Sequence, residues 1–301
     1  MPPTTYDSLG VVGSPHMVGV QCRFSLQLDL RRYYELHIDD WDRYIMLGEH
    51  DFVPASAQEL KPTLAVMYPA IHDVAAEDAA KIIAQQTLYH LSIGFDTVHA
   101  YITHDMVGAF TDHSKLAIYL RTGELQLLLW NDLPSCTATA VCNKVVALNH
   151  FILAMWGFNT RVLMLDADEL VALPTQMRMP DLKQRCWGNV SMAGFMRLNV
   201  LCDSCAAGEL QLWQTASKDL LMHYNRRLGY ELESKTKSLL TPDAVHAIDI
   251  HMGDILSGEY HRLPVEECGQ ILHFQNMFRD RAEGQATEFS EWQWALSQTP
   301  H

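Results

Sequence analysis

The sequence predicts an α/β fold: a mainly parallel sheet flanked by helices, preceded by a small β-rich flank. Three observations predict it. From residue 64 onward, short apolar runs alternate with segments of helical period. The run Arg161-Val-Leu-Met-Leu-Asp166-Ala-Asp168-Glu169-Leu-Val-Ala-Leu-Pro174 is apolar on both sides of three carboxylates packed into four residues. That pattern reads as a buried strand delivering Asp166 and Asp168 to its carboxyl end. Residues 1–60, by contrast, carry two-residue alternation and no helical period.

The elements follow in order. In the flank, residues 18–28 and 33–38 alternate well enough for strands, and Pro54-Ala-Ser-Ala-Gln reads as a loop. Leu64-Ala-Val-Met-Tyr68-Pro69 is an apolar strand stopped by proline. Asp73 is placed to cap a helix through about Leu91, with Ile82, Ile83, Gln86, Tyr89 and His90 at helical spacing and Gly94 as its stop. A second strand spans 97–103 and ends at His104-Asp105. A short helix over 114–120 leads to a strand over 125–130, and Asn131-Asp-Leu-Pro is a turn. Residues 137–156 have apolar residues on more than one face, which predicts a buried helix closed by Gly157. The acidic-tipped strand comes next. Beyond Pro174 the pattern loosens: a strand over 194–200, helical character over 209–225, turn then strand over 239–250, and a short helix at Glu291-Trp-Gln-Trp-Ala-Leu. The expected organisation is a flank over 1–60, one main domain over 61–280 and a polar tail over 281–301.

Composition narrows the partners. The chain has 301 residues, 48% of them hydrophobic, so a sizeable core is available. A formal charge of −14 repels phosphate backbones, and nucleic acid is not expected as a partner. A nucleotide held through a metal is still compatible. No uninterrupted apolar run reaches the roughly 18 residues of a membrane span, and Met1-Pro-Pro-Thr-Thr-Tyr-Asp has neither a basic start nor an apolar core. Seven scattered cysteines are too sparse for a disulfide scaffold. Cys202-Asp-Ser-Cys205 is a lone CxxC, read as ordinary or disulfide-linked cysteines ahead of a metal or redox site.

The chemistry concentrates at Asp166 and Asp168. Two carboxylates one residue apart point the same way from an extended chain and can share one cation. An oxygen-lined site suits Mn²⁺ or Mg²⁺, which keep positions for phosphate oxygens. The competing reading is an acidic turn after a core strand. The carboxyl edge of an α/β sheet is where ligands bind, which favours function. His251, which follows Val245-His-Ala-Ile-Asp-Ile250, and His273, in Ile271-Leu-His-Phe274, are candidate nitrogen ligands. With 15 histidines in the chain, chance placement is easy. Lys237 is a candidate point charge for donor phosphates, with a solvated basic turn as the alternative. Asp105, at the tip of the second strand, is a candidate contact for a base or ribose. Tyr68, which ends the first strand, is assigned to nucleotide contact at the same edge. No G-x-S-x-G elbow, G-x-G-x-x-G fingerprint or Walker loop is present, which weighs against triad hydrolases, dehydrogenases and P-loop kinases.

Five motifs, in order, resemble glycosyltransferase family 92 and related GT-A-fold (Rossmann-like) enzymes. They are Leu88-Tyr-His-Leu-Ser-Ile-Gly94 through Asp105; Tyr119-Leu-Arg-Thr-Gly123 through Trp130; Cys142-Asn143; Asp166-Ala-Asp168-Glu169-Leu170; and Lys237-Ser238-Leu-Leu-Thr-Pro242-Asp-Ala-Val245 through His251, followed by Leu272-His273-Phe274. The resemblance covers about residues 64–280. It implies a nucleotide-sugar donor, UDP-linked, a divalent metal at Asp168, and inverting transfer to a glycan hydroxyl. Asp166 and Asp105 would touch the nucleoside, and His251 would complete the metal site. Golgi placement is implied as well. Inversion requires a carboxylate to take the acceptor proton; Asp203 and Glu209 are the candidates. Leu170 stands where the family has an aromatic, and Phe274 where it has tyrosine. Two other readings compete: a degenerate domain that binds a glycan or partner without turnover, and another metal-dependent phosphoryl-transfer enzyme or hydrolase.

Overall fold

The computed structural model describes residues 13–14, 17–18, 34–38, 43–47, 63–69, 71, 74–130, 140–156, 158–174, 177–201, 226–230, 236–248, 253–274 and 287–288. In the flank, β1 (Gly13–Ser14) pairs antiparallel with β2 (Met17–Val18), and β3 (Tyr34–Ile38) with β4 (Arg43–Leu47). The expected loop at 54–58, the turn at 131–134, Gly157, the CxxC and the helices at 209–225 and 291–296 lie outside the described residues; the helix expected to be capped by Asp73 instead starts at Ala76 with Ala75 as its N-cap and no side-chain cap.

The core is built around a seven-stranded sheet. Its strands, in spatial order, are β16 (Tyr260–Arg262), β10 (Met192–Phe195), β13 (Lys237–Leu240), β8 (Thr160–Met164), β5 (Thr63–Tyr68), β6 (Thr97–Ile102) and β7 (Leu125–Leu129). Only β13 runs against the rest, pairing antiparallel with both β8 and β10. The protein is therefore α/β with a mostly parallel sheet.

The helices cover both faces, and strand alternation decides which residue meets which helix. Crossovers from β5 to β6 use α1 (Ala76–Ser92). The β6–β7 crossover uses α2 (Val107–Asp112) and α3 (Leu116–Thr122), and α4 (Ala140–Ala154) links β7 to β8. Val66 and Tyr68 of β5 and Leu163 of β8 pack with Ile82, Ile83 and Tyr89 of α1 in one core. Their neighbours Ala65, Met67, Val162 and Met164 pack with Ala147, Leu148, Phe151 and Ile152 of α4 in the other. Each Val, Leu, Ile, Phe or Met among them contributes about 1.5–3 kcal/mol of transfer free energy when fully buried.

Three local expectations change. The helix expected at 114–120 is α3, but α2 precedes it, built on Val107-Gly-Ala-Phe-Thr-Asp, a segment whose glycine, threonine and aspartate are weak helix formers. Helix α4 buries one face only: Leu153 is exposed while Phe151 and Ile152 are buried. The strand expected over 194–200 is two strands. β10 ends at Phe195, and β11 (Arg197–Leu201) belongs to a second sheet.

That second sheet has the order β18 (Thr287–Glu288), β12 (Arg226–Tyr230), β11, β17 (Gln270–Phe274) and β9 (Glu169–Ala172). The two sheets share covalent crossings at residues 165–168, between β8 and β9, and at Met196. A short hairpin, β14 (Val245–Ile248) with β15 (Gly253–Ile255), packs beside α4 through Asn149, whose amide reaches Ile248 O at 2.7 Å.

The turn before β17 depends on Gly269, which follows the short helix α5 (Val265–Cys268). Its φ of 87° and ψ of −171° lie in a region essentially closed to other residues. A Cβ there would also sit 2.3 Å from Ala172 O. Gly269→Ala is expected to lower unfolding free energy by at least about 1–3 kcal/mol, the strain of that backbone region. Urea unfolding checks it; an unchanged midpoint would mean the turn relaxes freely.

Candidate functional site

The strand order β8-β5-β6-β7 places β5 between β6, reached through α1, and β8, reached last. Chain direction across the sheet therefore reverses at β5. Beside such a reversal the flanking connections leave in opposite directions and open a crevice at the carboxyl ends. Asp166, Asp168 and Glu169 follow β8 at that edge, where Leu165 N donates to Met67 O of β5 at 3.0 Å.

The acids occupy a turn, contrary to the extended geometry expected for them. Glu169 N donates to Asp166 O at 3.0 Å, and Asp166 N donates back to Glu169 Oε2 at 2.8 Å. From below, Gln86 of α1 donates its amide to Ala167 O at 2.9 Å and to Glu169 O at 3.0 Å. The turn is thus tied to the first helix of the alternation.

The three carboxylates have distinct surroundings. Glu169 is wholly buried and lies between Arg197 Nη1 at 3.0 Å and Lys237 Nζ at 3.0 Å. Asp166 is partly exposed and takes Lys237 Nζ at 2.8 Å on Oδ2 and the Lys144 ammonium on Oδ1. Burial alone would push the Asp166 carboxyl up, but Lys144 and Lys237 more than offset it and hold it well below the usual carboxylate range. Burial would likewise lower the Lys237 ammonium; Asp166 and then Glu169 hold it above its ordinary value. Asp168 is buried, with Oδ2 3.5 Å from His273 Nε2. Burial raises its carboxyl, and His273 brings it below the ordinary value.

His273 arrives through strand register. It sits opposite Glu169 across the β17–β9 pair and opposite Asn199 across the β17–β11 pair. Its Nδ1 lies 2.9 Å from Asn199 Oδ1. An amide oxygen there favours the tautomer with hydrogen on Nδ1, which turns Nε2 toward Asp168. A carboxylate oxygen and a ring nitrogen facing each other at this separation call for a positive charge between them, either a proton or a cation.

The sequence-derived candidates therefore separate. Asp166, Asp168, Lys237 and His273 converge. Asp105 is exposed at the carboxyl end of β6, two strands from β8, and accepts from Thr103 Oγ1 at 2.5 Å. Tyr68 is a correction. Its ring is wholly buried on the α1 face, and its hydroxyl is occupied by His90 Nδ1 at 2.8 Å and Gln86 Oε1 at 3.2 Å, so it props the turn from beneath and is withdrawn from any nucleotide. Lys237 is also nearly inaccessible, at 2% exposure, and its ammonium is engaged by carboxylates, not held out to phosphate. His251, Asp203 and Glu209 lie outside the described residues.

Sequence reasoning missed Lys144, Arg197, Asn199 and Gln86 as site residues. Lys144 had a signal: it is the sole Lys, Arg, Asp or Glu in Ala140–Ala154. An isolated charge on an otherwise apolar helix needs a partner. Arg197, between Met196 and Leu198, gives the same cue.

Fold and site define a class: an α/β protein with a charged cluster where the chain reverses direction across a mostly parallel sheet. No protein-family model matches the sequence, and no curated protein matches it. A solved structure, HddC from Yersinia pseudotuberculosis, matches with a TM-score of 0.34 and 7% identity over 66% of this chain and 89% of that one. A likeness so distant carries no argument about chemistry.

Proposed function

We propose that the chain is a metal-dependent glycosyltransferase of GT-A-like fold, moving a sugar from a UDP-linked donor to a glycan hydroxyl. The observation that supports this reading is the facing pair Asp168 Oδ2 and His273 Nε2, oriented by Asn199, at the carboxyl edge beside β5. Among the described residues no group of three His, Cys, Asp or Glu side chains converges to enclose an ion. Two protein ligands nonetheless suit Mn²⁺ or Mg²⁺, which commonly bind through one or two side chains and complete their shell with water and substrate phosphates. Asp168 and His273 would hold the ion. When bound, it would neutralise charge on the departing diphosphate. Charge balance agrees with that role. Asp166, Asp168 and Glu169 are matched by Lys144, Lys237 and Arg197. A divalent cation would leave the cluster net positive, as an anionic donor requires.

The chain's own residues would do the positioning. Lys144 and Lys237 keep Asp166 ionised, and Gln86 holds the turn still. Asn199 aims His273. The acceptor's proton would go to a carboxylate, with Asp203 and Glu209 as the sequence candidates.

A second reading has its own support. Because Asp166 is held by two lysines, the cluster is stable without a cation, as a degenerate binding domain would require. Isothermal titration separates the two. UDP is expected to bind wild type only with Mn²⁺ present, and Asp168→Ala to weaken binding at least tenfold. A folded wild type silent to UDP and GDP with Mn²⁺ would overturn the transferase reading and favour the binding one.

A further inference from the structure

The segment Asn189-Val190-Ser191 has no part in the cluster above. It is the one Asn-x-Ser/Thr triplet in the sequence, and its middle residue is not proline. Such a triplet is the acceptor for N-linked glycan where the asparagine stands on the surface of a chain that matures in a secretory compartment. Both conditions have independent support here.

The first is geometric. Asn189 is exposed in the turn between the π-helical turn Lys183–Trp187 and β10. The turn is firmly built. Trp187 is buried beneath it, Val190 N donates to Trp187 O at 2.9 Å, and Arg161 donates to Gly188 O at 3.3 Å. Ser191 N donates to Glu259 O at 3.1 Å. The Asn189 side chain therefore stands clear of a fixed backbone, and a bulky substituent meets solvent, not core.

The second is redox. Cys186, three positions before Asn189, is disulfide-bonded to Cys268 across 82 residues. A bond closing so long a loop stabilises the fold chiefly by restricting the unfolded chain. Structural disulfides form and persist in oxidising compartments and are rare where thiols are kept reduced. The disulfide is thus the observation that supports the compartment in which the triplet would be read.

We infer that Asn189 is an N-glycosylation site, used when this chain is in the lumen of the endoplasmic reticulum. The donor class is a polyprenyl-diphosphate-linked oligosaccharide. A bond forms between Asn189 Nδ2 and the anomeric carbon; the bond from that carbon to the diphosphate oxygen breaks; Nδ2 loses one proton, and the polyprenyl diphosphate leaves. The glycan would stand away from the candidate site. β10 runs in the same direction as β8, so its start lies at the amino edge of the sheet and residues 166–169 lie at the carboxyl edge. The inference does not depend on the transferase reading.

The test is to carry the full chain into the lumen of a eukaryotic secretory cell behind a cleavable leader, recover the protease-protected fraction, and measure intact mass before and after peptide-N-glycosidase. One glycan is expected on wild type, removed by the enzyme and absent from both Asn189→Gln and Ser191→Ala. The Asn189 peptide is expected to become aspartate on release, and the Cys186–Cys268 peptide pair to stay linked until reduced. An unmodified Asn189 peptide in the protected fraction, whatever the thiol state, overturns the inference. So does a glycan that survives in the Asn189→Gln chain.

Discussion

Glu169→Ala is expected to lower unfolding free energy by about 3–5 kcal/mol, the scale for removing one partner from a buried ion pair. Three losses combine. Arg197 and Lys237, 8% and 2% exposed, each lose a carboxylate at 3.0 Å, and Asp166 N loses its acceptor at 2.8 Å. Lys237 keeps Asp166, while the buried Arg197 guanidinium loses this carboxylate. Glu169→Gln keeps the volume and is expected to fall only somewhat short of alanine, because what matters is the charge. Adding Arg197→Met to Glu169→Gln is expected to restore part of the loss, since the buried positive charge is removed along with the carboxylate that faced it. Urea unfolding of the four proteins checks this. A loss under about 1 kcal/mol for alanine, the scale of an exposed pair, would mean that water reaches the cluster.

Acidification from pH 7.5 to pH 5 is expected to destabilise the protein by about 4 kcal/mol, well before its carboxylates titrate. The cause is two histidines buried neutral. Burial pulls His90 from 6.5 to about 4, against a smaller opposing effect from Gln86 O, and burial pulls His99 from 6.5 to about 4. His90 is enclosed by Tyr68, Tyr89 and Phe95, and His99 packs on Phe151. The sign follows from proton counting. Between pH 6.5 and 4 the unfolded chain binds these two protons and the folded chain does not. Acid therefore favours unfolding across that window, by about 2 kcal/mol per histidine at pH 5. Asp166 and Asp168 act lower. Their folded carboxyls are depressed, so their contribution is full above the unfolded carboxylate range and is lost only as pH falls through the folded values. Unfolding in urea at the two pH values measures the effect, and His99→Leu is expected to halve the difference. Equal stability at both pH values would show that the histidines protonate in place.

Much of the fold was legible because it is written locally. β5, β6, β7 and β8 are short apolar runs bounded by Pro69, His104-Asp105, Asn131 and the acidic turn, and α1 ends one residue past its expected limit, before Gly94. Gly94 itself takes φ 103°, which explains why glycine marks the stop. The division at Met196 was not legible. Phe195 and Arg197 continue one extended pattern, and only sheet pairing assigns them to different partners. Asp166 and Asp168 were found as a motif, but their geometry was misread, because a strand pattern carries no sign that Glu169 will fold back onto Asp166 N.

By itself, then, the sequence determined the α/β alternation, the parallel core, the acidic tip at a strand's end and the absence of a long apolar span. These follow from residue spacing and burial, which act within a few residues. Tertiary structure alone decided which charges meet. Lys144, Arg197, Lys237 and His273 come from four separate elements, α4, β11, β13 and β17. The order and register of two sheets bring them to one turn, and the same packing withdraws Tyr68 into the core. A charge buried so far from its partner along the chain announces only that it needs one; strand order supplies the partner.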